Sequence, residues 1–339
     1  MATAGIVTAG GDCPGTNAAI RGAVTRFVAE GWTVIGVEKG WRGLMEGLTR
    51  PLDRDSVRGI IARGGTMLGS SRVDPFVHGA GYSSIAATID DHGIECLVVI
   101  GGDGSLRSAV QLERDGLRVI GIPKTIDNDI GGTDVTFGFH TAVQVVTDAI
   151  DRLTTTAESH DRIMVVEVMG RTAGWIAAYS GIAGGAEAIL VPEVPPDMAE
   201  IAARISARHE AGRSYSLVVV AEGIPGPDGP ITTGVDSFGF ERLGGAGTVV
   251  ARRLEELTGF EARVVTLGHL QRGGTPTAFD RVLATRLGLH AAGLAMAGRS
   301  GVMAAVRGTQ MTEVDIVEAC RTPRPLEQDV FEDAKYFFA

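Results

Sequence analysis

The sequence predicts an α/β protein built as two lobes with mainly parallel sheets, and three observations carry that prediction. The 339 residues are more than one compact core usually holds. Short apolar runs alternate with helical patterns over most of the length, the mark of a parallel sheet flanked by helices. The runs end repeatedly on glycine, at Gly10-Gly11, Gly101-Gly102, Gly170, Gly223 and Gly268. Ligands of open α/β sheets bind outside the carboxyl ends of the strands, so these glycines and their charged neighbours mark one rim.

Taken in order, strands are predicted at residues 6–8, 34–37, 97–100, 119–122, 164–168, 217–221 and 264–267, each a short apolar run before a turn signal. A helix over about 137–156 is long enough to link two lobes. Pro- and Gly-rich punctuation at 191–196 and 224–234 reads as surface loops. With no tandem repeat, heptad pattern or low-complexity tract, a two-lobed enzyme with a cleft is the economical expectation.

Composition narrows the function. Hydrophobic content of 44% with 21% charged residues fits a soluble globular chain, and the cytoplasm is the expected compartment. No apolar run approaches the roughly 20 residues that span a bilayer, and the start lacks a basic-then-apolar leader pattern. Cys13, Cys96 and Cys320 have no metal-ligand spacing and are expected as buried thiols. A net charge of -10 argues against a nucleic-acid surface. Positive charge is carried almost wholly by arginine, with lysine only at 39, 124 and 335. Lys124 stands inside the most informative segment.

That segment, I-G-I-P-K-T-I-D-N-D-I-G-G, runs from 120 to 132 and brings Thr125, Asp127 and Asp129 close in sequence. If it is extended, Asp127 and Asp129 project to the same face and can serve one site. Upstream, V-V-I-G-G-D-G-S at 98–105 runs an apolar strand into Gly101, Gly102, Asp103, Gly104 and Ser105. Backbone N–H groups and a helix N-terminus can converge there on an anion, and Asp103 can hold a metal.

Five further segments join the same rim. Gly10, Gly11, Asp12, Cys13, Pro14 and Gly15 precede a helix starting near Asn17; this is either a phosphate loop or a mere tight turn. R-G-G-T-M-L-G-S-S-R at 63–72 ends on Arg72, whose planar fork suits phosphate oxygens. V-E-V-M-G-R-T-A-G at 166–174 sets Met169, Gly170 and Arg171 after a strand, and V-A-E-G at 220–223 adds Glu222, which either bonds sugar hydroxyls or caps a helix. L-G-H-L-Q-R-G-G at 267–274 offers His269 and Arg272.

Together, in unbroken order from about residue 6 to 280, these segments resemble the phosphofructokinase family. The resemblance implies two similar three-layer α/β lobes with the active site in the cleft between them. It implies a larger nucleotide and phosphoryl-donor domain at 1–138 plus about 271–322, a smaller sugar-phosphate domain at 139–270, and a C-terminal segment at 323–339. It also implies a homotetramer whose active sites are completed across a subunit boundary, with Arg162 and Arg263 matching the borrowed arginines. ATP and fructose 6-phosphate are the implied partners, with Mg²⁺ as cofactor and no nucleic acid or membrane.

In those terms Asp127 is the base for the sugar's 1-hydroxyl and Thr125 positions the reacting groups. Asp103, with Asp129 behind it, holds Mg²⁺; Arg72 and Arg171 neutralise the phosphoryl group in flight. Gly11, Gly102, Gly104 and Ser105 cradle the donor. Arg162, Arg263, His269 and Arg272 grip the sugar phosphate, with Glu222, Met169 and Gly170 against the sugar.

Family members use ATP or pyrophosphate, and two positions separate them. Gly104 resembles the ATP users, because glycine leaves room for the α-phosphate and ribose. Lys124 resembles the pyrophosphate users. A carboxylate at 104 would exclude the nucleotide, whereas a lysine is expected to swing aside, so ATP is the expected donor and pyrophosphate the alternative. Positions matching the effector pocket of regulated relatives are partly kept, as Arg21, Arg54, Glu187 and Arg213, and partly lost, as Thr25, Thr154 and Ala211, so nucleotide activation is expected to be altered or feeble. Rival readings are a lipid or NAD kinase, which leaves P-K-T-I-D-N-D unexplained; an oxidoreductase, for which Glu38 is the required acid; and a silent regulatory subunit, which should have lost Asp103 or Asp127.

Overall fold

A computed structural model describes residues 1–226, 229–235 and 241–338. The strands are β1 (Thr3–Thr8), β2 (Thr33–Val37), β3 (Thr49–Leu52), β4 (Ile94–Gly101), β5 (Arg118–Thr125), β6 (Phe137–Gly138), β7 (Ile163–Val168), β8 (Ala188–Leu190), β9 (Ser216–Ala221), β10 (Pro225–Gly226), β11 (Gly229–Pro230), β12 (Thr232–Val235), β13 (Glu241–Leu243), β14 (Ala262–Thr266), β15 (Val302–Arg307) and β16 (Gln310–Asp315). The chain divides into two compact units. One comprises Met1–Ile126, Ile130–Thr141 and Arg272–Pro323; the other comprises Asp127–Asp129, Ala142–Gln271 and Arg324–Ala339.

In the first unit the sheet order is β16-β15-β5-β4-β1-β2-β3, with β6 beside β5. Its centre is parallel, and its two edge pairs, β15–β16 and β2–β3, are antiparallel. Every residue of β1 is buried, as is all of β4 except Glu95, because helices cover both faces of a parallel sheet. That is why these strands read as continuous apolar runs rather than as alternating ones. Under the sheet, Val7, Val37, Trp41, Leu44, Leu97 and Leu106 share one core, each large side chain contributing roughly 1.5–3 kcal/mol by burial.

The helices Thr16–Ala29 and Ala278–Met296 cross within this unit at glycines. A Cβ at Gly22 would lie 2.5 Å from the Thr285 carbonyl oxygen, and one at Gly288 would lie 2.2 Å from that of Ala19. No larger residue fits without separating the helices.

The second unit is built on the sheet β14-β7-β9-β8, parallel throughout. The long helix begins at Phe139 and ends at Glu158, starting in the first unit's residues and continuing in the second's. Residues 324–339 group with the second unit and carry the helix Gln328–Lys335.

Six of the seven predicted strands lie within observed ones, and the seventh, 264–267, runs one residue past the end of β14 at Thr266. The 224–234 stretch is not a plain loop, because β10, β11 and the start of β12 occupy it; its residues 227 and 228 lie outside the described residues. Cys13, Cys96 and Cys320 are buried and free, as expected. Burial pushes the Cys96 and Cys320 thiols up to about 12 and raises Cys13 further still.

Candidate active site

In the first unit, two glycine-capped helix starts follow adjacent parallel strands. Beyond β1, Gly15 caps the helix Thr16–Ala29 from a left-handed conformation at φ 98°, with no side-chain cap. Beyond β4, Gly102 caps Asp103–Arg114, again with no side-chain cap. Since β1 and β4 are hydrogen-bonded neighbours, both N-termini leave one rim with their first amides uncommitted to a cap. The 10–15 segment is therefore a helix-starting loop.

The 63–72 segment is fastened onto that rim. The Gly10 amide donates to the Ser71 carbonyl at 3.0 Å, and Ser70 Oγ donates to the Gly10 carbonyl at 2.6 Å. Asn17 Nδ2 donates to the carbonyls of Arg63 and Gly64 at 3.0 and 3.3 Å, while its Oδ1 accepts from the Met67 amide at 2.7 Å. Arg72, exposed at the end of this segment, is thereby anchored beside the first glycine loop. Asn17 organises the arrangement although only its place at a helix start stood out in the sequence.

Lys124 corrects an expectation. Rather than swinging freely, it is 3% exposed and its ammonium donates to the Gly11 carbonyl. Arg272 reaches the same loop, donating from Nη1 to the Asp12 carbonyl at 3.3 Å. Asp103, in the first turn of its helix, accepts from Arg107 Nε at 3.0 Å, one helical turn on. A Cβ built at Gly104 meets nothing within 4 Å, so neither packing nor backbone conformation requires glycine there. Glu38, the acid an oxidoreductase would need, is paired with Arg50 of β3 at 3.3 Å.

Beyond β5, Asp127 is 4% exposed, but Asn128 has φ 55°. The stretch is therefore not extended, and simple alternation does not put Asp127 and Asp129 on one face. The left-handed residue, a conformation asparagine tolerates, redirects the chain between them. Asp129 offers its carbonyl to the Arg324 amide at 2.7 Å, a link within the second unit.

In the second unit the carboxyl ends of β7 and β9 hold the expected sugar-side residues. Glu222 Oε1 accepts from the Arg171 amide at 3.1 Å, bracing a turn in which Gly170 has φ 140° and Arg171 φ 50°. Through this bond Glu222 is tied to the turn. A Cβ at Gly223 would lie 1.6 Å from the Arg171 carbonyl oxygen, so only glycine fits. Met169 donates from its amide to Oε1 of Gln271, whose Nε2 donates to the Gly268 carbonyl, locking the 169–171 turn to the 268–272 turn that carries exposed His269. Gln271 was not singled out by sequence. Nor was Glu167, buried inside β7, which accepts from the amides of Gly245 and Gly247 and so caps the helix Ala246–Thr258.

Arg162 and Arg263 stand elsewhere. Arg162 precedes β7, and Arg263 lies near the start of β14, in register with Met164. Both donate to Glu261, Arg162 Nε at 2.5 Å. They occupy the amino ends of strands whose carboxyl ends bear Met169 and His269, about 20 Å away for a six-residue strand. Of the positions matched to an effector pocket, Glu187 is buried and engaged by Arg208 at 2.5 Å and by the Leu217 amide at 2.6 Å, its carboxyl pushed up by burial.

No helix among the described residues is long and apolar enough to cross a membrane, and among them no group of three or more His, Cys, Asp or Glu is arranged to hold a metal. The glycine-capped helix starts and the arginines at strand ends define an α/β protein of the class that binds phosphorylated ligands at the carboxyl rim of parallel strands. The chain belongs to the phosphofructokinase family: the family model described as PFK: Phosphofructokinase matches residues 3–295. It is 50% identical to the pyrophosphate--fructose 6-phosphate 1-phosphotransferase of Amycolatopsis methanolica over 98% of this chain and 99% of that one. It is also 50% identical to the ATP-dependent 6-phosphofructokinase 2 of Streptomyces coelicolor, with the same coverage. Among solved structures, Pichia pastoris phosphofructokinase superposes with a TM-score of 0.83 at 32% identity over 99% of this chain, which spans 37% of that chain's length. The pyrophosphate-dependent phosphofructokinase of Marinobacter aquaeolei, 24% identical with a TM-score of 0.81 over 100% of this chain and 92% of its own, shares the fold.

Proposed function

We propose that the protein transfers the terminal phosphoryl group of ATP to the 1-hydroxyl of fructose 6-phosphate, giving fructose 1,6-bisphosphate, in the cytoplasm and as a homotetramer. The observation that carries the reading is the pair of uncapped helix N-termini on adjacent strands β1 and β4, with Asp103 in the first turn of one. Phosphoryl transfer depends almost wholly on positioning and charge stabilisation, which such a rim supplies.

Asp127 accepts the proton of the attacking hydroxyl, and Thr125 orients it. Gly11, Gly102, Gly104 and Ser105 receive the donor's phosphates, while Arg72 and Arg171 balance the charge that spreads over the moving group. Glu222, Met169, Gly170, His269 and Arg272 hold the sugar phosphate. Asp103 fits Mg²⁺, which is commonly held by one or two carboxylates plus substrate phosphates, with Asp129 as its supporting carboxylate in this reading. Mg²⁺ supplies charge neutralisation on the donor phosphates when bound. The placement of Arg162 and Arg263 at the opposite strand ends supports a role in a neighbouring subunit's site.

For the donor, open space at Gly104 supports ATP, since a carboxylate there would meet the ligand rather than the protein. A second reading, pyrophosphate, is favoured by Lys124, which holds a buried ammonium against the donor loop at Gly11. Relatives of either donor type are equally similar. The test is a parallel assay on fructose 6-phosphate with Mg²⁺ and either ATP or pyrophosphate, alongside Asp127→Ser. Turnover with ATP, little with pyrophosphate, and a loss of about 10²–10⁴-fold in kcat for the variant are expected. Faster turnover with pyrophosphate reverses the donor. Full activity in Asp127→Ser removes the base.

A further inference from the structure

In the first unit, the helix Asp103–Arg114 and the short helix Ile316–Ala319 enclose an open concavity of about 300 Å³. Arg107, Arg114 and Arg321 are among its lining residues, together with Val110, Gln111, Val317 and Cys320. Such a concentration is unusual on a chain of net charge -10. Two counter-charges belong to the same neighbourhood: Asp103 is paired with Arg107, and Glu318 with Arg321. Arg114 has no ion pair or hydrogen bond among the described residues, so the cluster keeps an excess of positive charge.

Arg107 is the informative member. Its Nε donates to Asp103 Oδ1 at 3.0 Å, while its terminal nitrogens have no protein partner among the described residues. One edge of the guanidinium is on Asp103 and the other is available to the concavity. Planar forks of this kind take phosphate oxygens in pairs, and a second arginine from another element gives the anion a chelating partner.

We propose that this concavity binds a small phosphate-bearing anion, and that the anion draws Arg107 off Asp103. The second half rests on the reading of Asp103 as the residue that meets Mg²⁺. An anion on Arg107 competes with Asp103 for the same positive charge, and a cation on Asp103 competes with Arg107 for the same carboxylate. Anion and metal therefore favour each other, and the coupling is reciprocal.

Arg114→Gln and Arg321→Gln test the site without touching the catalytic machinery. Calorimetric titration of inorganic phosphate, and in parallel of glycerol phosphate, into donor-free wild type should show saturable binding to a site whose affinity falls about tenfold in either variant. Binding to the sugar-phosphate arginines would persist in both variants and is separated by that persistence. The two titrants distinguish a site for free phosphate from one for a phosphate monoester. Mn²⁺ binding, followed by its paramagnetic resonance signal, should tighten about fivefold with phosphate in wild type and not in Arg107→Gln, and the donor KM should fall in step with kcat unchanged. Identical phosphate binding in wild type and both variants would overturn the site. Mn²⁺ affinity indifferent to phosphate would overturn the coupling. Failure of turnover with either donor would count against the proposed reaction, while the phosphate titration would still decide the site.

Discussion

Asp280 accepts two hydrogen bonds from Thr141, from the amide at 2.7 Å and from the hydroxyl at 2.5 Å, and Asp280 is fully buried. The contact fastens the start of the helix Phe139–Glu158 to the start of Ala278–Met296, whose own cap is Thr277. Burial raises the Asp280 carboxyl above its ordinary value of 3.8, against the hydrogen bonds from Thr141 that lower it. A raised pKa means the folded state holds the proton longer, so this group's contribution is fully present below the unfolded value and is lost as pH rises through the folded one. Asp280→Asn lacks that loss. Denaturant unfolding should show the variant gaining stability relative to wild type as pH climbs from 3.8 toward neutrality, and a gap independent of pH would refute the assignment.

Gly104→Asp should leave the fold intact, within about 0.5 kcal/mol, because its side chain meets no protein atom. Its carboxylate would instead face the donor's phosphates. ATP-supported kcat/KM should fall about a hundredfold, since two negative charges at such distances cost a few kcal/mol. Unchanged ATP kinetics would show that position 104 does not face the nucleotide.

Gly223→Ala sets a methyl group 1.6 Å from the Arg171 carbonyl oxygen. The turn bearing Arg171 must shift, at a cost of about 1–3 kcal/mol, and Glu222 loses its alignment with the Arg171 amide. Both a lower thermal midpoint and a higher KM for fructose 6-phosphate are expected. A variant as stable as the parent would mean that the turn yields freely.

Arg162 and Asp127 should complement between subunits. Arg162→Ala and Asp127→Ser, each nearly inactive, are expected to regenerate activity when unfolded and refolded together, because some sites then receive both intact residues. A mixture no more active than the sum of its parts would place Arg162 in its own subunit's site or in none.

Much of the fold was legible because the central strands are buried on both faces. V-V-I-G and I-V-V-V-like runs need no partner to be recognised. Edge strands were not, since T-R-P-L in β3 carries a proline and two polar residues, and β16 is half-exposed along most of its length. At the site, glycines and charges at strand ends were readable as a rim. The residues that fix their geometry were not. Asn17 acts on a segment 46 positions away, Glu167 on amides 78 and 80 away, and Gln271 on an amide 102 away. Local pattern holds no trace of such partners. The Asn128 conformation was equally hidden, because a sequence suggests alternation until one dihedral interrupts it.

The glycine crossing of Thr16–Ala29 with Ala278–Met296 bears on the order of biosynthesis. The helix Thr16–Ala29 is synthesised long before Ala278–Met296, yet the surface around Gly22 meets backbone of Thr285 and Leu289. A nascent chain must therefore carry the glycine loop before Thr16, open on that side, until Ala278–Met296 has been translated. Translation of Ala278–Met296, after every strand of the second unit's sheet and before β15 and β16 of the first, closes the packing behind Gly15.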